Sequence, residues 1–245
     1  MLRTIQKKRK LYREFIILIL VVASGCKTIN SPVFGGTVND IDGNEYNTVT
    51  IGTQTWMMEN LKTTHYNDNT PIPMVTDSAA WRNLKTPGFC WYNNDSTSNK
   101  KTFGALYNWY AADTAKLAPA GWHIPTDEDW SILENNVADY MYASGSLAKI
   151  LASTTEWNKS TNTGAIGNNP ALNNSSGFSA LPGGSRENYI HSFNSKDSTG
   201  VWWSSTLESD TTALSILMRC DVNSVDRYNK LKWKGLSVRC IKDQK

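Results

Sequence analysis

The sequence has few of the residue patterns that metalloenzymes and hydrolases require. Its three histidines, His65, His123 and His191, are isolated from one another, and its 245 residues include no HExxH or CxxC motif. A zinc site requires several ligands at close spacing, and many serine hydrolases carry a nucleophile elbow, which is also missing. The sequence therefore predicts a protein that is not an enzyme and that binds no metal or other cofactor.

The sequence also lacks an apolar run long enough to cross a bilayer. The run from Phe15 to Ala23 is well short of the ~18–20 residues that a spanning helix needs. It follows a segment with six Lys and Arg residues and precedes Ser-Gly-Cys, an order typical of an export signal. The cysteine after Ala-Ser-Gly resembles a bacterial lipobox. We predict that residues 1–25 form a lipoprotein signal peptide and that Cys26 is lipidated. The alternative is an ordinary secretory signal in which Cys26 is incidental.

This leader predicts attachment to the bacterial cell envelope, at the outer membrane, with the lipid bilayer as a partner through the acyl anchor. Residues 26–36 are mostly polar and punctuated by Gly and Pro, so we expect a short lipidated tether. The stretch CKTINSPVF lacks the acidic residues that sometimes follow the lipidated cysteine as a surface-export tag. The sequence therefore leaves open which face of the membrane the domain occupies.

A strongly basic surface is missing once the leader is removed. The whole chain has 25 Lys and Arg residues and 22 Asp and Glu residues, a net charge of +3. Residues 1–25 hold six of the basic and one of the acidic residues, so the rest has 19 basic and 21 acidic residues and a net charge of −2. We therefore expect no nucleic-acid partner. The mature part is long enough for one large domain, which we place at residues 37–243.

Cysteine is scarce, with four residues in the whole sequence. If Cys26 carries lipid, then Cys90, Cys220 and Cys240 allow at most one internal disulfide, and three pairings are possible. Export permits a bridge without requiring one. Cys220 and Cys240 are in phase with the apolar positions of two predicted strands, so both can equally be small buried apolar residues.

Short strands and few helices are predicted along the chain, which indicates an α+β class. The dipeptide Asp42-Gly43 predicts a hairpin between two strands. Helices are expected in TDSAAWRNL, capped by Thr76 or Asp77, in GALYNWYAAD and in SGSLAKIL. The stretch CWYNNDSTSNK is expected to run from a strand into a polar loop. FSALPGGS, GVWWSST, TTALSILMRC and GLSVRCIK alternate as strands do, with VDRYNKLK as a possible hairpin partner.

The stretch HIPTDEDW combines a histidine with three acidic residues and resembles a site for acid–base chemistry or metal binding. Pro125 disfavours helix before it, Thr126 is a good N-cap, and Asp129 completes a capping box. Acidic residues in a first helical turn are favoured by the helix dipole. Trp130, Leu133 and Val137, followed by Tyr140 or Met141, form one apolar stripe. We therefore interpret the stretch as the start of a helix.

Aromatic residues are abundant, with ten Trp and ten Tyr. An exposed aromatic ring beside Asn or Asp offers the flat apolar face and the polar groups that sugar recognition needs. One ring of the pair Trp202–Trp203 is expected to face solvent, because neighbours on a strand alternate. Most of the aromatic residues are nevertheless expected to lie in the core. The candidate ligand-binding residues are Trp91, Tyr92, Asn94, Asp95, Arg186, Tyr189, His191 and Trp203.

Several motifs, in order over residues 38–243, are similar to those of the Fibrobacter succinogenes major paralogous domain. They are DIDGNEYNTVTIGTQTWMMENLKTTHYND, CWYNND, FGALYNWYAA, APAGWHIPTDEDW, GFSALPGGSR, WWSST and GLSVRCIKD. HIPTDEDW, LPGGSR and SVRC also resemble, more distantly, the formylglycine-generating enzymes. The resemblance implies a C-type-lectin-like fold with short antiparallel strands, about two to four short helices and long loops, in a bacterial surface lipoprotein.

The resemblance also bears on the cysteines and on activity. The family usually has a cysteine where this chain has Ala118, so Cys240 has lost the partner that the family pattern would give it. The formylglycine-generating reaction needs two closely spaced cysteines, whereas Cys220 and Cys240 are 20 positions apart. We predict an exported, lipid-anchored, non-catalytic binding module for polysaccharide or cell-surface partners, such as glycans or envelope proteins. A structural scaffold of the envelope is the main alternative, and an oxidase of the formylglycine-generating type is the less favoured one.

Overall fold

Three antiparallel sheets and five short helices make up the part of the chain that the structure, a computed structural model, describes: residues 33–138, 146–187 and 193–244. The strands are β1 (Val33–Asn39), β2 (Glu45–Ile51), β3 (Gln54–Met57), β4 (Phe89–Cys90), β5 (Leu106–Tyr107), β6 (Trp122–His123), β7 (Thr199–Leu207), β8 (Thr212–Arg219), β9 (Asp226–Leu231) and β10 (Ile241–Lys242). The helices are α1 (Ser78–Arg82), α2 (Ser96–Phe103), α3 (Trp109–Ala112), α4 (Asp127–Ala138) and α5 (Leu147–Leu151). The predicted α+β class is confirmed. The narrower C-type-lectin-like fold stays a prediction.

The largest sheet has the strand order β1-β2-β3-β10-β6. The hairpin predicted at Asp42-Gly43 joins β1 to β2, and Gly43 adopts a φ of 77°, a backbone conformation that glycine reaches without steric cost. Ile241 pairs with Trp56 on one side and with His123 on the other, so β10 lies inside the sheet. The hairpin strand β1 and the short strand β6 therefore form its two opposite edges.

Strand β7 belongs to a second sheet, of order β7-β8-β9, and lies between two hydrophobic cores. Trp203 packs in the first core with Tyr107 and Val238, and Trp202 packs in the second with Trp56 and Trp130. The two rings alternate across the strand, but both are fully buried. The expectation that one ring faces solvent is wrong, because both faces of β7 are covered.

Helix α4 begins as the sequence predicts. The hydroxyl of Thr126 accepts a hydrogen bond from the backbone N–H of Asp129 (3.1 Å), and the Asp129 carboxylate accepts one from the backbone N–H of Thr126 (2.8 Å). This reciprocal pair is a capping box. Trp130, Leu133 and Val137 are buried on one face, whereas Tyr140 and Met141 lie outside the described residues. Within the described ranges, no helix combines the length and hydropathy that a membrane span requires.

Two predicted elements differ from the structure around residues 89–112. GALYNWYAAD is helical only in its second half, because Leu106 and Tyr107 pair with β4 and the Asn108 side chain caps α3 by accepting from Ala111 N–H (3.1 Å). The stretch predicted as a polar loop contains α2, which Asp95 caps by accepting from Ser98 N–H (3.1 Å). The other two helices, α1 with its predicted cap Asp77 and α5, form where the sequence indicates.

The stretches FSALPGGS and GLSVRCIK are less regular than predicted. The first makes isolated bridges, and the second is a strand only at Ile241–Lys242. The backbone of residues 236–241 bonds in turn to Tyr107, Val201, Trp203, Leu61 and Met57. Because its hydrogen bonds pass from one neighbour to the next, this segment joins several elements instead of extending one ladder.

Candidate functional site

The aromatic residues predicted to bind a ligand lie mostly in the interior. Trp91 is buried, with its ring edge against Phe89 at 5.5 Å between centroids, and Tyr92 is buried against Phe193 at 5.4 Å. Trp203 is fully buried and donates its indole N–H to the carbonyl of Tyr107 (2.8 Å). These three rings pack in the protein and present no face to solvent.

The polar candidates also have structural partners. The buried guanidinium of Arg186 donates to the carbonyls of Val75 (2.6 Å) and Thr76 (2.8 Å) and stacks on Trp81 and Phe193. Asp95 caps α2, as described above. The exposed Asn94 donates from its side chain to Thr76 (3.2 Å). Two further candidates, Tyr189 and His191, lie outside the described residues.

A pocket of about 380 Å³ lies beside the edge strand β6 and combines an aromatic ring with ionisable groups. Its lining comes from four separate parts of the chain: the residues after α3, strand β6, Ser205 of β7 and Asp243 after β10. Ala118 and Ile124 are buried and apolar, and Trp122 is half-buried. The rest of the lining is Ala112, Asp113, Thr114, Ala115 and His123. An apolar interior with a few polar groups is typical of small-molecule sites.

His123 lies between two carboxylates at the rim of this pocket. Its Nδ1 is 2.7 Å from Asp243 Oδ1, and its Nε2 is 3.4 Å from Asp129 Oδ2. The hydrogen bond to Asp129 raises the pKa of His123, burial partly opposes this, and the bond to Asp243 adds to it. Asp129 has the stronger influence despite its longer distance because its side chain is 21% exposed, against 53% for Asp243, so water screens it less.

Two acidic side chains differ in their surroundings: Asp113 lines the pocket, and Asp129 contacts the lining residue His123 from outside it. Partial desolvation raises the pKa of Asp113, and the nearby Lys232 limits the rise. Burial would also raise the pKa of Asp129, but the hydrogen bonds from His123 and Thr126 lower it below its usual value. Asp129 therefore both caps the start of α4 and stabilises the protonated form of His123. The first-turn interpretation of Asp129 is confirmed, and His123 of the same stretch lines the pocket.

Sequence patterns did not identify Asp113, Trp122 and Asp243 as members of one site. Trp122 and Asp243 are 121 positions apart and come together because β6 pairs with β10, where Trp122 is opposite Lys242. The only local signal was the position of Trp122 beside His123, within a motif that its helix cap already explained.

The three cysteines of the described residues are all free. Cys90 is buried and Cys240 fully buried, and burial raises the pKa of the Cys90 thiol to about 12 and that of Cys240 above its usual range. Cys220 is half-buried, and its pKa is also raised, chiefly by desolvation. Ala118 and Cys240 lie in the same hydrophobic core, so Cys240 packs there as a small apolar residue.

The described residues contain no group of three His, Cys, Asp or Glu side chains that could hold a metal ion. Asp42 illustrates why. Its carboxylate accepts from the Thr64 hydroxyl (2.9 Å) and contacts His65 Nδ1 at 2.6 Å. These contacts lower the pKa of Asp42, although burial acts in the opposite direction. In the DIDGN turn, the Asp42 carboxylate is therefore occupied by contacts with the neighbouring segment at Thr64 and His65.

Comparison with known proteins identifies the family. The profile of the Fibrobacter succinogenes major domain matches residues 49–242, which cover most of the chain and every pocket-lining position except Asp243. No curated protein and no solved structure matches the sequence. The chain therefore belongs to the Fibrobacter succinogenes major domain family.

Proposed function

We propose that this protein is an exported, lipid-anchored binding module of the bacterial cell envelope that recognises polysaccharide or another cell-surface partner and catalyses no reaction. Family membership supports a role shared by a set of related domains but specifies no ligand. Cys26 provides the acyl anchor in this proposal, and the outer membrane is its location. The net charge of the mature chain, −2, argues against nucleic acid as the partner.

The observation that carries the binding proposal is the pocket at β6. The half-buried ring of Trp122 offers a flat apolar face, while Asp113, Asp243 and Ser205 offer polar atoms along the same cavity. A sugar ring has an apolar C–H face and hydroxyl groups at its edge, so this combination suits it. At about 380 Å³ the cavity is near the lower end of ligand pockets, about 300–1,000 Å³, and suits one or two sugar units.

The same residues argue against catalysis. Both ring nitrogens of His123 face carboxylates, which favour the imidazolium form and leave it poorly suited to remove a proton from a ligand. The state of the thiols also argues against an oxidase of the formylglycine-generating type. Cys240 is fully buried, and all three described thiols have raised pKa values, which disfavour the reactive thiolate.

The test is a glycan and polysaccharide array probed with residues 27–245, followed by calorimetric titration of each positive ligand. Trp122→Ala should reduce affinity by about tenfold or more, and Asp243→Asn should reduce it while leaving the shape of the pocket intact. Tyr228→Ala is the matched control, because Tyr228 is an exposed aromatic residue on β9 outside the pocket. Ligands that bind equally well to the Trp122→Ala variant would place recognition elsewhere.

A structural scaffold of the envelope is the second candidate, and the burial of the aromatic residues favours it. Eight of the ten tryptophans are buried, and Trp122 and Trp233 are half-buried, so the tryptophans of the described residues form no extended platform facing solvent. An array without a positive ligand, together with recovery of a specific envelope protein after crosslinking in cells, would favour the scaffold.

A further inference from the structure

We infer that the outer edge of β1 is a membrane-contacting surface, which rests against the lipid headgroups and holds the β6 pocket away from the bilayer. The inference rests on the proposed acyl anchor at Cys26 and adds an orientation to it. The contact surface consists of Val33, Phe34 and Thr37 with the backbone between them, and we call it the β1 surface.

The β1 surface is the most exposed apolar part of the five-stranded sheet. Val33 is 61% exposed and Phe34 is 69% exposed, and nearly every residue of β1 is exposed on both faces of the sheet. A shallow cavity of about 300 Å³ lies beside Phe34. All of its lining residues are uncharged: Phe34, Gly36, Thr37, Asn47, Thr48 and Met58.

The position of the surface along the chain identifies the bilayer as its occupant. Val33 is seven residues after Cys26, and a fully extended chain of that length spans at most about 25 Å. An acyl chain on Cys26 would therefore hold Val33 and Phe34 close to the membrane whatever path the tether takes.

The polar groups of the β1 surface limit how deeply it can enter the membrane, which places the contact at the level of the headgroups. The backbone groups on the outer edge of β1 need hydrogen-bond partners, which headgroups and water supply and the hydrocarbon core does not. Glu59 lies next to the cavity, where its carboxylate accepts from Asn47 through the backbone N–H (2.9 Å) and the side-chain amide (2.8 Å). A charged group in this position favours shallow contact with neutral headgroups.

The sheet order then orients the pocket. Strands β1 and β6 are the opposite edges of the five-stranded sheet, separated by four interstrand spacings, or roughly 19 Å. Trp122 and His123 are on β6, so contact at β1 directs their pocket away from the membrane. A pocket in that orientation is open to polymers or partners on the aqueous side.

The experiment uses the full acylated protein in phosphatidylcholine vesicles. The substitution Thr37→Cys provides the site for an environment-sensitive fluorophore, and Glu128→Cys, at an exposed position of α4, provides the matched control site. Cys220→Ser is included in both proteins, because Cys90 and Cys240 are buried and Cys220 is the accessible thiol of the described chain. Lipids with nitroxide labels near the headgroup should quench the probe at position 37 and leave the probe at position 128 unquenched.

Replacing Phe34 by Ser should remove most of the quenching at position 37 without releasing the protein from the vesicles. Equal, weak quenching at the two sites in a vesicle-bound protein would overturn the inference while leaving the acyl anchor intact. A protein that stays in the aqueous phase would instead overturn the anchor. In residues 27–245, which lack the anchor, a probe at position 37 whose emission shifts with protein concentration would show that a second copy covers the β1 surface, which also overturns the inference.

Discussion

His123 lies between Asp129 and Asp243, and at the scale of single residues this contact governs how the pocket rim responds to pH. Both neighbours stabilise the imidazolium ion. The hydrogen bond that His123 donates to Asp129 is the larger influence, so the pKa of His123 in the folded protein is above its usual value. A cation at the rim therefore persists to a higher pH than it would on an isolated histidine.

Titration of the His123 ring by NMR should show this raised pKa. Asp243→Asn should lower it toward the ordinary value of about 6.5, because one of the two stabilising charges is removed. Asp221→Asn, which neutralises a carboxylate beside Arg219 on a different part of the surface, is the control variant and should leave the pKa of His123 unchanged. A pKa of His123 that does not respond to Asp243→Asn would contradict the assigned contact.

The same shift has a defined effect on stability. A folded-state pKa above the unfolded one means that the contribution of His123 is fully present below pH ~6.5 and is lost as the pH rises through the folded pKa. Because the side chain is 40% exposed, the loss should stay below about 1 kcal/mol.

The sequence predicted the cap residues correctly but did not predict the residues that line the pocket. The cap residues Thr126 and Asp129 were identified because their contacts are three positions apart and follow from local geometry. Asp113 and Asp243 were not, because their position in the pocket depends on strand pairing between distant segments. Trp91 and Trp203 looked like sugar platforms because the sequence does not show which faces of a strand the rest of the chain covers.

At the scale of elements, the capping box fixes the start of α4 and with it the position of Asp129. Thr126→Ala should lower the free energy of unfolding by about 1 kcal/mol, because the N–H of Asp129 loses its hydroxyl acceptor. Thr126→Ser keeps the hydroxyl and is the matched control. The measurement is urea unfolding followed by far-ultraviolet circular dichroism. Equal losses in the two variants would show that the methyl group, and not the cap, is responsible.

Helix α2 and the environment of β7 were not predicted for the same physical reason: both depend on tertiary contacts that a local sequence pattern does not show. Helix α2 buries only Asn99 and Phe103, so it has no apolar stripe, and its stability comes from the Asp95 cap and the hydrogen bonds of Asn99 to Tyr92 (3.0 Å) and Asp95 (3.0 Å). Strand β7 was placed correctly, but its environment was not. A pattern of alternation gives two faces, and the number of covered faces depends on tertiary packing.

At the scale of the whole molecule, the three cysteines should behave as free thiols of unequal accessibility. In residues 27–245, an aromatic disulfide reagent should modify Cys220 slowly and leave Cys90 and Cys240 unmodified, since burial both covers these two and raises their pKa values. All three should react after unfolding in guanidinium without reductant. The Cys220→Ser variant should show no reactive thiol when folded and two when unfolded. A single reactive thiol in the unfolded wild-type chain would reveal a disulfide.

The order of strands in the large sheet has a consequence for biogenesis. Residues 241 and 242 fill the place between β3 and β6, so the two parts of this sheet cannot join until this late segment has been synthesised. A nascent chain that lacks this insertion offers open strand edges and an incomplete core. Under the proposed export, delayed closure of this kind would keep the chain unfolded for passage through a secretion channel, and insertion of the last strand would be the step that completes the native sheet.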